Sequence, residues 1–196
     1  MRLRTCVLLA FAHALLSACN VAVSERPMYS ESQRSATILL EDGLWVRSDP
    51  ECSFDRGKPK NEWPNCADWI VVSGHFAVGG SDKKAGETPD DIFIAEGDPA
   101  ILQAKLRINN EATETYLFAV INPVARADSG LVTSVDAWAV ACGTETAGSG
   151  SSPKIEPYPG FDKDCHPESV EALRKAALKS PTAETLRWEW VRPEQP

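Results

Sequence analysis

The sequence predicts a mainly β protein, an antiparallel sheet, sandwich or barrel, with one C-terminal helix followed by a last strand. Three observations carry that expectation. About seven or eight short segments rich in β-branched and aromatic residues recur along the chain, the composition that fits a pleated, half-buried surface. The connections between them are turns and loops too short for helical crossovers, which favours antiparallel pairing. Only residues 168–179 have a helical apolar period, and residues 185–191 follow as an alternating strand.

Taken in order, residues 21–35 are polar, with no helical or alternating period, and read as a flexible spacer. Residues 37–40 are an apolar run. Glu41-Asp42-Gly43 makes a turn, because Asp-Gly tolerates positive φ. Residues 44–47 form a brief strand carrying Trp45. Residues 48–68 are a loop, since Pro50, Gly57, Pro59 and Pro64 exclude long regular structure. Residues 69–78 read as one strand, with Ile70, Val72, Phe76 and Val78 on one face and Trp69, Val71 and His75 on the other. Residues 79–89 form a charged loop, and 92–95 a short strand.

Residues 101–108 alternate cleanly, with Leu102, Ala104, Leu106 and Ile108 inward and Gln103, Lys105 and Arg107 outward. Asn109-Asn110 opens a turn. Residues 115–121 return as a strand apolar on both faces, so the pair reads as a hairpin with its second strand central. Residues 132–142 give a strand with Trp138, and 143–164 a long loop. In the helix, Pro167 stands where the first helical position tolerates proline. Glu168 and Glu171 precede Arg174, Lys175 and Lys179, as the helix dipole prefers. Val170, Leu173 and Ala177 make the inner face, and Pro181 stops it. In the last strand Leu186, Trp188 and Trp190 alternate with Arg187 and Glu189.

The N-terminus carries its own signal. Arg2 and Arg4 precede an apolar run from Val7 to Leu16, too short to span a bilayer as a helix and followed by small residues. Leu16-Ser17-Ala18-Cys19 resembles the lipobox of bacterial lipoproteins. The resemblance implies a signal peptide over residues 1–18, lipidation of Cys19, and a lipidated N-terminus with a flexible tether over 19–36. Residues 37–196 would then form a single disulfide-stapled β-rich domain. The bacterial modification carries three acyl chains, and more than one is what stable anchoring needs. Asn20, where an aspartate would retain the protein in the inner membrane, implies the outer membrane, facing the periplasm.

Loss of Arg2 and Arg4 with the leader lowers 20 basic side chains to 18 against 28 acidic ones, a formal −10. Such a surface is repelled by nucleic acid and by anionic lipid head groups, and neither is expected as a partner. Cys6 and Cys19 set aside, Cys52, Cys66, Cys142 and Cys165 remain. An even number in an exported chain suggests two disulfides. Of the three pairings, Cys52–Cys66 and Cys142–Cys165 are favoured because each brackets a loop-like segment.

Gly43-Leu44-Trp45 matches the G-x-W signature of the lipocalin-like (calycin) group, and the late helix before a last strand matches its usual ending. The resemblance implies a lipocalin-like barrel that binds a small apolar ligand. The second lipocalin signature, T-D-Y, is absent, and no arginine closes the last strand before the helix. Residues 50–67, with Cys-Ser-Phe-Asp and Trp-Pro-Asn-Cys-Ala, resemble a proteobacterial lipoprotein family, a resemblance that brings no activity with it.

Catalytic motifs are lacking: there is no nucleophile elbow, P-loop, zincin helix or Gly-rich dinucleotide turn. His75 would need a nucleophile or carboxylate within reach to act as a base. His166 reads as a residue of the helix start. Asp90-Asp91 with Glu87 matches no calcium loop and reads as a solvated turn. No catalytic residue, cofactor or metal is therefore expected. Six tryptophans remain (Trp45, Trp63, Trp69, Trp138, Trp188 and Trp190). They either fill the core or line a pocket. Trp45, Trp69, His75 and Trp138 are the candidate pocket residues. Two functions follow. One is a non-enzymatic envelope lipoprotein, an interaction or structural module bound to the membrane through Cys19 and to an envelope protein. The other is a lipocalin-like binder of a small apolar or aromatic ligand.

Overall fold

The computed structural model describes residues 20–79, 90–107, 114–146, 154–182 and 185–195, the side chains of 106 and 107 excepted. The leader, Cys19, Glu87, Ile108, the Asn109-Asn110 turn and the 148–152 glycine-serine run lie outside them. Eleven strands and one helix of more than one turn are described: β1 (Val23–Ser24), β2 (Gly43–Ser48), β3 (Trp69–Ser73), β4 (Phe76–Gly79), β5 (Asp90–Ala95), β6 (Ala100–Arg107), β7 (Glu114–Arg126), β8 (Val132–Ala139), β9 (Gly143–Thr146), β10 (Lys154–Pro157), α1 (Val170–Ala177) and β11 (Leu186–Arg192).

Eight strands close into an antiparallel barrel. Around the wall the order is β2-β3-β4-β5-β6-β7-β8-β11, and β11 returns to β2. Closure is what removes unpaired edges from an all-β architecture. Gly43 makes it possible at the β2–β11 seam. It holds φ +133°, and a Cβ there would stand 2.3 Å from the Arg192 carbonyl oxygen. The expected β6–β7 hairpin is present in register, from Ala100 opposite Ile121 to Arg107 opposite Glu114.

The structure departs from the sequence reading at four places. Residues 69–78 are not one strand. Ser73 faces Phe76, and Gly74 (φ +60°) with His75 turns the chain into the β3–β4 hairpin. The turn reverses the faces after it, so Ala77, not Phe76 and Val78, shares a side with Ile70 and Val72. Residues 143–164 contain the β9–β10 hairpin. The helix begins at Val170 rather than Glu168, because Ser169 caps it by accepting the Ala172 amide at 3.1 Å. Its buried face is Ala172, Leu173, Ala176 and Ala177, with Val170 packed at the margin.

The fourth departure is the spacer. Residues 20–35 lie along the outside of the barrel. The Asn20 carboxamide clamps Gly143, donating to its carbonyl and accepting from its amide, both at 2.8 Å. Ala22 is fully buried, β1 pairs with β7, and the Gln103 side chain accepts the amides of Met28 and Tyr29. These contacts are tertiary and irregularly spaced, which is why no period announced them.

Both disulfides pair as expected, Cys52 with Cys66 and Cys142 with Cys165. Each closes a cover over the outer wall. The 49–68 loop lays Trp63 and Ala67 over Leu44, Val46 and Val71. It is held by Arg56 donating to Glu189 at 2.7 Å, and the Ser48 hydroxyl, foremost, keeps the Glu189 carboxyl below its ordinary range. On the opposite wall α1, the 20–35 segment and the Cys142–Cys165 region bury Phe93, Ile101, Phe118 and Val120.

Candidate functional site

Which side chains enter the barrel follows from register. Residues opposite each other in an antiparallel pair share a face, and neighbours along a strand alternate. Trp45 lies opposite Ile70 on β3 and Trp190 on β11. Val72 on β3 and Ile121 on β7 belong to one packed cluster with Trp45 and Val135, although three strands separate them in either direction around the wall. They meet across the lumen. The inward set is therefore Trp45, Ile70, Val72, Ile92, Ile94, Ala100, Leu102, Ala104, Leu117, Ala119, Ile121, Val135, Ala137, Trp188 and Trp190.

One end of this lumen is crossed by a strap. After leaving β5, where the Ser35 amide donates to the Ile94 carbonyl at 2.8 Å, residues 35–41 cross to β8, where the Glu41 amide donates to the Val132 carbonyl at 2.9 Å. Ile38 and Leu40 of the strap pack onto the lumen cluster. Two indoles fasten its end, Trp45 Nε1 donating to the Glu41 carbonyl at 2.8 Å and Trp190 Nε1 to the Asp42 carbonyl at 2.9 Å.

Packing then falls away toward the other end. On β2, β3, β6, β7 and β8 an inward residue near the strap is buried and the next ones toward the far rim are not. Ala100 is followed by half-buried Leu102 and Ala104; Ile121 by half-buried Ala119 and Leu117; Val135 by half-buried Ala137 and exposed Ala139. Trp45 is 1% exposed, whereas Trp188 is half-buried and Leu186, at the same rim, is exposed. An eight-stranded barrel is just wide enough for its side chains to fill or for one small ligand. With alanines at 104, 119, 137 and 139, the inner face of this half carries small side chains beyond Trp45, with Trp188 among them. Arg47 has the register of this face near the rim, paired with Asp68 at 2.7 Å.

A second opening lies beside the strap, between it and the Gly74-His75 turn. This side cavity of 580 Å³ is lined by Ile38, Leu40, Ile92, Ile94 and Leu131, with Glu31, Arg34, Glu41, Asp42 and His75 at its polar margin. Among the described residues β4 and β5 share two pairs there, Phe76 with Asp91 and Ala77 with Asp90. Asp42 accepts the Gly74 amide at 2.7 Å and ties turn to strap. The Arg34 hydrogen bond holds the Glu31 carboxyl below its ordinary range.

The four residues expected to line a pocket are not brought together. Trp45 is in the lumen, as its floor. His75 stands exposed at the side cavity, its ring against Phe76. Trp69 points outward, stacked under the Lys60 ammonium at 4.4 Å. Trp138 also points outward, packed against the α1-side cluster. The lumen tryptophans missed from sequence are Trp188 and Trp190. Their alternation with Arg187 and Glu189 was visible, but the pairing of Trp190 with Trp45 is what places them inside. His166 sits at the helix approach, its Nδ1 3.0 Å from Asp162. Among the described residues, no group of three or more His, Cys, Asp or Glu side chains is arranged to hold a metal ion.

In comparison with known proteins, no family model matches the chain, and no curated protein or solved structure is significantly similar to it.

Proposed function

We propose that the protein is a non-enzymatic lipoprotein of the bacterial envelope whose barrel binds a small apolar or ring-bearing molecule in the open half of its lumen. The observation that carries this reading is the graded interior: buried side chains near the strap, then half-buried apolar ones farther along β3, β6, β7 and β8, which together make the cup of this proposal. Small residues at 104, 119 and 137 leave the space, and Trp188 supplies an aromatic wall. Apolar walls with a few polar groups at the entrance are the usual make-up of such sites. The lipobox-like Leu16-Ser17-Ala18-Cys19 supports anchoring through Cys19 and residence at the outer membrane, facing the periplasm. In this reading the G-x-W resemblance to lipocalin-like proteins is one of use as well as sequence, with Trp45 as the cup's floor.

The test is binding. Chain purified from an oxidising periplasm is examined by native mass spectrometry and titrated with N-phenyl-1-naphthylamine, a ring-bearing probe that fluoresces in apolar surroundings. A copurifying small molecule, or saturable probe binding, supports the cup. Ala119→Phe and Ala137→Leu, which fill it, abolish binding while the melting temperature stays within about 4 °C of the parent. A bare protein that binds no probe sinks this reading and leaves an interaction module.

A further inference from the structure

The β5 strand has an unfinished edge. Within a strand the amide and carbonyl of one residue point to the same side, and those of its neighbours to the other. The Ile92 amide donates to the His75 carbonyl at 2.8 Å, and the Ile94 carbonyl accepts the Ser35 amide at 2.8 Å. Both residues therefore turn their backbone groups away from β6, Ile92 toward the Gly74-His75 turn and Ile94 toward the strap. A complete antiparallel ladder would exchange a second bond at each place. Among the described residues, no backbone group supplies it to the Ile92 carbonyl or the Ile94 amide. One acceptor and one donor, separated by Phe93, are left open between turn and strap. Ser35, His75, Ile92 and Ile94 all line the side cavity of 580 Å³.

The cavity offers two further kinds of partner. Its floor is aliphatic, and Ile38, Leu40, Ile92 and Leu131 are only half-buried there. Its margin is unevenly charged. Glu31 is neutralised by Arg34, whose guanidinium donates to both carboxylate oxygens, at 2.8 and 2.7 Å. Glu41, half-buried, and Asp42, exposed, have no basic side chain against them among the described residues. Asp42 stands at the turn itself, accepting the Gly74 amide at 2.7 Å, with His75 exposed beside it. A bare cation would use the carboxylates alone, and an apolar solute the floor alone.

We infer that the side cavity takes the amino-terminal end of a short peptide whose first residues are apolar. One extended residue running parallel to β5 satisfies both open groups, donating its amide to the Ile92 carbonyl and accepting the Ile94 amide with its own carbonyl. The residue before it then lies toward the turn, where its ammonium meets the carboxylates of Asp42 and Glu41. The apolar side chains cover the half-buried aliphatics of the floor. The volume falls in the range of about 300–1,000 Å³ usual for small-ligand sites. This site is separate from the cup and from the anchor at Cys19, and needs neither.

The full chain, purified from an oxidising periplasm, is titrated by calorimetry with leucyl-leucinamide, and saturable binding is expected. Acetylating the peptide's amino group removes its charge and should weaken binding about tenfold or more. Glu41→Gln combined with Asp42→Asn, which keeps both shapes, should do the same. Glycyl-glycinamide, without the apolar side chains, and 3-methylbutylamine, without the amide, should each bind at least about tenfold more weakly than leucyl-leucinamide. Leu131→Trp, which fills the cavity, should abolish binding, and Ala119→Phe in the cup should leave it unchanged. Melting temperatures within about 4 °C of the parent check that each variant is folded, and the double carboxamide variant carries the test where Leu131→Trp does not fold. Absence of leucyl-leucinamide binding overturns the inference. So does an acetylated peptide that binds as tightly as the free one, or 3-methylbutylamine that matches the peptide. Binding lost in Ala119→Phe but kept in the double carboxamide variant overturns it too, by moving the peptide to the cup. A chain that binds the peptide but not N-phenyl-1-naphthylamine supports the side cavity and sinks the cup alone.

Discussion

The two faces of the barrel wall are built to opposite ends. Outward side chains that a bare barrel would give to water are fully buried: Leu44, Val46 and Val71 under the 49–68 loop, Ile101, Phe118 and Val120 under α1 and the N-terminal segment. Inward side chains, which a small barrel ordinarily packs tightest, loosen progressively toward the open rim. The hydrophobic stabilisation has been moved to the outside, where disulfide-closed covers collect it. In the proposed reading the interior is thereby relieved of holding the fold together and can take a guest.

Substitutions can break that contrast. The largest effect is expected outside. Phe118→Ala, at a residue 1% exposed, should cost about 3–5 kcal/mol in a urea unfolding experiment. Removing a cover should come next: Cys52→Ala with Cys66→Ala opens a loop of sequence separation 14, worth about 3 kcal/mol by the chain-entropy argument. Leu102→Ala, at a half-buried residue of the cup, should cost only about 1 kcal/mol. Equal losses at 118 and 102 would mean that the interior is packed after all, and the distinction between the faces would collapse.

The smallest expected effect concerns acid. The backbone amide of His166, and then that of Asp164, hold the Asp162 carboxyl below its ordinary range. This knuckle lies beside Cys165 in the α1-side cover. A carboxyl lowered in the folded state stabilises it above the unfolded value and ceases to do so as pH falls through the folded one. Asp162→Asn should therefore melt slightly below the parent at pH 6, and the gap should close in the acid range. A gap that persists unchanged in acid would show that the knuckle depends on shape rather than charge.

Local features were readable from sequence and long-range ones were not. Alternation gave away β6 and β11, an apolar run gave away β7, and cysteine bracketing gave the two disulfides. Ser169 hid the helix start because a glutamate and a proline nearby satisfied the same positional preferences. Gly74 hid a turn because β-branched residues continue on both sides of it. Closure itself was illegible: nothing near Leu186 says that this strand belongs between β2 and β8. For the site, the tryptophans were recognised but not sorted. Trp69 and Trp188 look alike as strand residues, and only the register separates the wall's outside from its lumen.

The position of β11 has a consequence for how the chain comes together. Its Trp190 fastens to Asp42 across 148 residues, and it pairs with the first barrel strand from Arg187 opposite Ser48 to Arg192 opposite Leu44. A chain emerging from its N-terminus can assemble β2 to β8 as a seven-stranded sheet, but that sheet has two bare edges until the final segment arrives. The barrel is completed like a hoop closed by its last stave. Contacts this distant in sequence make for slow closure, and until then the edges of β2 and β8 are the places where one chain could pair with another.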